Sequence, residues 1–247
     1  MAGFKAHFSA AAVSGGLMAT TLLSAQIIEA DTAIFCFIAA ILGGLLPDID
    51  SDTSTILTVS FTVFAVIFSF LVMFSQAASL SIMELLILWM AAFVFFKLAV
   101  FELFTRLTVH RGIFHSIPAA FGCFYFTPLF LGRLFHIPNQ NLWLIAAFLL
   151  AGFLIHLLLD ELASLNLFGL GGTRKSLGSA FKFYSDDLAA TTGLYLTTAL
   201  LYHLSPEING SFDPLLTWET WETIANRFFP VGGWFSVKFS LWKWWMF

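Results

Sequence analysis

The sequence predicts a polytopic bundle of transmembrane helices, all-α in class, and three observations carry that expectation. Of 247 residues, 59% are hydrophobic. Only 11% are charged, against about 25% in a soluble domain. The apolar residues gather in runs of near-membrane length, and the mean hydropathy is +0.89. Eleven Lys and Arg with fifteen Asp and Glu cannot coat a soluble core of this size. A soluble globular enzyme, a disordered chain and a nucleic-acid binder with a broad basic face are thereby excluded. The net charge of −4 says little about partners, because most of the surface faces lipid. The polar residues near the spans carry the information, since ionisable groups there are costly and kept for function.

A span needs roughly 20 mostly apolar residues. The candidates are residues 9–28, 33–46, 56–74, 82–104, 113–131, 142–160 and 188–204. Five to seven spans fit, and seven is the single expectation. The first run follows Lys5 and lacks a small-x-small cleavage site, so it reads as a span rather than a signal peptide. The second ends at Gly43-Gly44 and Pro47, short enough for a tilted or re-entrant segment. Lys97 lies inside the fourth and needs Glu102 or the inner surface as its outlet. Pro118, Gly122 and Pro128 predict kinks in the fifth. Cys36 and Cys123 read as small buried hydrophobes.

With the amino terminus inside, Lys5, Arg106, Arg111, Arg174, Lys175 and Lys182 fall on the cytoplasmic side and Arg133 on the other. That is the positive-inside pattern. Residues 1–204 form the transmembrane domain in this reading, and 205–247 a tail with six of the eight Trp. Leu215, Trp218, Ile224, Ala225 and Phe228 approximate one face of an interfacial amphipathic helix. The alternation from Phe235 to Leu241 suits a strand-like end.

Four segments combine His and Asp at one expected membrane face: His7, the loop Leu46-Pro47-Asp48-Ile49-Asp50-Ser51-Asp52, the stretch His110-Arg111-Gly112-Ile113-Phe114-His115-Ser116, and His156 with Asp160 and Glu161. His156 and Asp160 are four apart and share a helical face. Imidazole nitrogen and carboxylate oxygen suit zinc, manganese or iron. In an extended loop Asp48, Asp50 and Asp52 would project to one side, an unfavourable anion cluster without a cation. Gly112 lets His110 and His115 turn toward one centre. Singly, each piece reads as a solvated loop or a satisfied His, as His136 and His203 do. Their coincidence in so weakly charged a chain points to a metal site. Arg111 and the Gly-rich basic stretch 171–182, with Arg174, Lys175 and Lys182, offer phosphate contacts. Topology determinants meeting anionic lipid are the plainer role for most of that stretch.

In order along the chain, the early His, L-P-D-x-D, H-R-G-x-x-H-S and H-x-x-x-D resemble the LexA-regulated inner-membrane metal-dependent hydrolases, the YdjM-like family. The likeness runs from about His7 to Lys182 and leaves out the tail. Phe114 stands where family members commonly have Thr, which removes a hydroxyl but no ligand. The resemblance implies a multi-pass protein of the bacterial inner membrane and a hydrolase. A fainter similarity to zinc-dependent phospholipase C implies His7, Asp48, His110, His115, His156 and Asp160 as ligands.

The resulting expectation is one or two divalent ions, zinc foremost, serving phosphoester hydrolysis on a membrane lipid. Asp50 or Glu161 is the candidate general base and Arg111 the phosphate contact. The rival expectations are a metal transporter, with ligands near mid-bilayer on broken helices, and a non-catalytic protein whose metal staples helix ends.

Overall fold

The computed structural model describes residues 3–50, 54–75, 82–100, 114–164, 181–185 and 187–227. It is helical: α1 (Phe4–Ser24), α2 (Ala30–Leu45), α3 (Ser54–Ser75), α4 (Ile82–Phe95), α5 (Ile117–Leu134), α6 (Asn139–Ser164), α7 (Leu188–Leu204), α8 (Asp213–Leu216) and α9 (Trp218–Arg227). A 3₁₀ turn, Leu46–Asp50, extends α2, and a π-helical turn, Phe96–Val100, extends α4. Among the described residues, four segments are long and apolar enough to cross a membrane: Phe4–Ser24, Ala30–Asp48, Ile117–Leu134 and Asn139–Ala163. Two shorter apolar helices, Phe64–Met73 and Ile87–Ala99, accompany them. The second run is therefore longer than its apolar stretch suggests. It begins at Ala30 and continues through the 3₁₀ turn to 19 residues.

Small residues decide how the bundle packs. On α1 the buried positions are His7, Ala11, Gly15 and Ala19, one stripe at four-residue spacing. On α2 the buried face includes Cys36, Ala39, Ala40, Gly43 and Gly44. Lipid gives no hydrophobic drive for helix association, so close backbone approach at small residues takes its place. A Cβ on Gly43 would sit 1.9 Å from the Leu149 carbonyl oxygen, and one on Gly152 would sit 2.0 Å from that of Ala40. The crossing of α2 with α6 is thus a backbone-to-backbone contact, and it is the most extensive in the bundle. α1 packs on α2 and α6, α5 on α6, and α7 on α5. α3 and α4 pair with each other and touch α5 only sparsely.

Several expectations change here. Pro118 lies in the first turn of α5, where its missing N–H has no helical partner to lose, so it starts the helix instead of kinking it. Pro128 is inside α5 as expected. Lys97 sits in the π-helical turn and donates to the Thr62 hydroxyl of α3, while Glu102 lies outside the described residues. The tail face from Leu215 to Phe228 is broken: Thr217 is extended (φ −79°, ψ 142°), separating α8 from α9. Leu215 packs on the core, Trp218 and Trp221 are exposed, and Phe228 and the segment from Phe235 to Leu241 lie outside the described residues. The Glu207 carbonyl accepts from Asn139 Nδ2 (2.6 Å) and Trp143 Nε1 (3.2 Å), which ties the start of the tail to α6. Cys36 and Cys123 are free thiols on α2 and α5.

Candidate metal centre

Four chain segments meet at one end of the bundle because each comes from the corresponding end of a helix. His7 is in the first turn of α1. Asp48 follows α2 in the 3₁₀ turn. His115 precedes the N-cap of α5, where Ser116 Oγ accepts from the Ala119 N–H. His156 and Asp160 share the last turns of α6. All but His115 are buried, with His7 at 1%, His156 at 0%, Asp160 at 4% and Asp48 at 8% exposure.

Asp160 is the hub. Its Oδ1 lies 3.3 Å from His7 Nε2, and its Oδ2 lies 2.9 Å from His115 Nε2 and 3.7 Å from His156 Nε2. Asp48 Oδ1 lies 3.5 Å from His156 Nε2. The His7 and His156 rings stack at 3.6 Å with an 11° tilt, and the His115 ring stands edge-on to His156 at 5.3 Å. Ligand atoms of His7, His156 and Asp160 lie within 4.8 Å of one another, so these residues form a group able to hold a metal ion.

His156 tests the fit. Its Nδ1 lies 2.7 Å from the Gly44 carbonyl oxygen. A carbonyl oxygen only accepts, so Nδ1 carries the proton and donates. In the neutral ring Nε2 then presents a lone pair, the tautomer of a metal-ligating His held by an outer hydrogen bond. That buried Nε2 has no hydrogen-bond partner, and the oxygens it faces stand at 3.5 and 3.7 Å. Those separations are long for hydrogen bonds. They are near the spacing of about 3.3 Å between donor atoms sharing a tetrahedral zinc with bonds of about 2.0 Å. A lone pair aimed at carboxylate oxygens in a buried pocket is stabilised by a cation between them, and the donor set fits one.

The close crossing of α2 and α6 makes this possible. Because Gly43 and Gly152 let the backbones touch, the His156 ring reaches the carbonyl of Gly44 on the neighbouring helix. Gly44 is a participant that motif reading passes over. Its signal is the Gly43-Gly44 pair four residues before Asp48, read from sequence only as the end of a run.

The acidic loop is not extended. Leu46–Asp50 forms a 3₁₀ turn, at three residues per turn, so the period-two alternation that would line up the aspartates does not hold over these residues. α2 runs on through Leu46, and Pro47 is compatible with the start of a helical turn. The side chain of Asp50 lies outside the described residues, as do Asp52, His110, Arg111, Arg174 and Lys175 entirely. Glu161 is half-buried on α6 beside Asp160. Lys182 is exposed, and its carbonyl accepts from the Ile117 N–H at 3.0 Å, a parallel bridge that holds the end of the basic stretch two residues from His115.

A profile of the family described as YdjM inner membrane protein matches residues 1–174. The chain belongs to the YdjM inner membrane protein family. The matched range spans α1 to α6 and contains every residue of the cluster. No curated protein and no solved structure matches the chain, so the fainter likeness to zinc-dependent phospholipase C gains no support from a relative. Membership of the YdjM family and the apolar helices make this a multi-pass protein of the inner membrane.

Proposed function

We propose that the chain is a membrane-embedded metal-dependent hydrolase acting on a phosphoester of a lipid or another membrane-associated substrate. The observation that carries the reading is His156 Nε2, buried, without a hydrogen-bond partner and facing Asp48 and Asp160. His7, His115, His156, Asp48 and Asp160 would hold the ion, zinc by donor type, with manganese or iron as alternatives. A bound divalent ion supplies Lewis acidity toward a phosphoryl oxygen and lowers the pKa of coordinated water.

The chain's own groups do the rest. Glu161, next to the hub, or Asp50, next but one to Asp48, takes a proton as general base. Arg111, between two histidines in sequence, meets the phosphate, and Arg174 and Lys175 add positive charge on the same side. The bridge from Ile117 to Lys182 supports that reading by holding Lys182, the last residue of the stretch, two residues along from His115. The positive-inside pattern supports a cytoplasmic amino terminus, and hence a cytoplasmic site at headgroup level. Ligands at helix ends suit an enzyme better than a transporter, whose ions bind near mid-bilayer.

The test uses the full chain in sealed vesicles of phosphatidylethanolamine and phosphatidylglycerol, with zinc or manganese added. Mass spectrometry is expected to find lipid turnover that requires the metal, stops with a chelator and is absent in Asp160→Asn. Metal uptake into the vesicles without lipid turnover would establish transport instead.

A further inference from the structure

A cavity of about 310 Å³ that the His/Asp chemistry leaves unused runs through the bundle, with Leu46, two residues before Asp48 in sequence, in its lining. Its walls come from α2, α3, the π-helical turn, α5 and α6. On α2 it follows Phe35, Ile38, Ala39, Leu42 and Leu46, a continuous stripe. Phe35 and Leu46 are eleven positions apart, a length of about 16 Å at 1.5 Å per residue. The site end is therefore Leu46, two residues before Asp48.

The lining offers almost nothing to a polar guest. Its one hydroxyl, on Thr127, donates to the Cys123 carbonyl of its own helix at 2.8 Å. An ion or a sugar would be desolvated here without compensation. The cavity exists because the α3–α4 pair stands off from the bundle, touching α5 sparsely. Ile38 on α2 and Phe126 on α5 line it and are each more than a third exposed, so the cavity is not sealed within the bundle.

We propose that this cavity is a slot for one hydrocarbon tail of the substrate, entered from the bilayer beside Ile38 and Phe126, with the tail's phosphorylated end held at the His/Asp centre. The inference rests on the hydrolase reading and narrows its substrate class to a phosphate ester with a long alkyl, acyl or prenyl chain. The occupant follows from three features together: an apolar wall, a lining stripe of hydrocarbon-chain length, and an end two residues in sequence from a metal-ligand candidate. A free polar phosphoester would leave the slot empty, and an ion conduit would need polar walls.

The test uses the full chain in detergent and hexadecyl phosphate carrying a diazirine either at the terminal carbon or beside the phosphate. On irradiation the terminal probe is expected to label the deep end, around Phe35, Leu71, Leu131 and Ile145. The probe beside the phosphate is expected to label near Leu46 and Cys123. Filling the slot from opposite walls, with Leu71→Trp or Cys123→Phe, is expected to cut terminal labelling at least fivefold. Ile34→Trp, on the outward side of α2, is expected to leave it unchanged. Metal content of the same samples reports on the hydrolase reading, and their far-UV circular dichroism reports separately on folding. Unchanged labelling in both filled variants, or equal labelling by the same chain with a hydroxyl in place of the phosphate, would overturn the slot while leaving the metal centre standing. Slot labelling in a chain that binds no metal would uphold the slot and remove the hydrolase reading.

Discussion

Replacing His156 with leucine is expected to abolish metal-dependent stabilisation while leaving the fold in place. Leucine roughly preserves the buried volume, so helix packing survives, and it removes a nitrogen whose lone pair faces carboxylate oxygens at 3.5 and 3.7 Å. Asp160 keeps His7 and His115 as partners when the His156 ring is removed, which limits the penalty of a stranded buried carboxylate. In the unaltered chain, metal at 100 times its Kd stabilises by about 2.7 kcal/mol. That corresponds to about 5–10 °C in Tm for a chain of this size. His156→Leu is expected to show none of that shift and a loss in metal affinity above about 100-fold, beyond what losing an outer-shell partner costs. The checks are thermal unfolding with and without zinc and elemental analysis of the purified protein. A variant that keeps full metal content would remove His156 from the ligand set.

Gly152→Val is expected to be, like a side chain at Gly43, among the most damaging substitutions outside the ligands. A Cβ at this position would stand 2.0 Å from the Ala40 carbonyl oxygen, 2.8 Å from its carbon and 3.0 Å from the Gly44 nitrogen. These are backbone atoms, with no side chain to swing aside, so α2 and α6 must separate. The cost sits at the upper end of overpacking, about 3 kcal/mol. The separation also breaks the 2.7 Å contact from His156 Nδ1 to Gly44, so metal affinity falls with stability. Gly193→Ala on α7 is the matched control, because a Cβ there meets nothing within 4 Å. It is expected to leave both unchanged. Unfolding midpoints and metal content of the two variants decide the matter. A Gly152→Val chain with normal metal affinity would show that the site does not depend on this crossing.

What was legible in the sequence is what depends on spacing within one segment. His156 and Asp160 share a face by helical periodicity alone, and the membrane class follows from composition. Convergence at one bundle end was expected from alternating spans, and His7, Asp48, His115, His156 and Asp160 do lie together. The Gly44 contact was not legible, since it depends on how closely two helices cross, which no single run records. The aspartates of the loop share a side only if the chain is extended, whereas α2 passes directly into a 3₁₀ turn that contains Pro47. Pro118 misled, its effect set by its distance from the helix start. The apolar slot has no sequence trace, because it is space left where the α3–α4 pair stands away from the bundle.

The central claim, that these histidines and aspartates bind a divalent ion, is tested most directly by X-ray absorption at the zinc edge of the loaded protein. The expected spectrum has nitrogen and oxygen neighbours at about 2.0–2.2 Å, with imidazole scattering and no sulfur. The same spectrum from His156→Leu is expected to lose that imidazole contribution or the ion altogether. A sulfur neighbour at about 2.3 Å would place the ion on Cys36 or Cys123, and a purified chain that binds no zinc, manganese or iron would contradict the account outright.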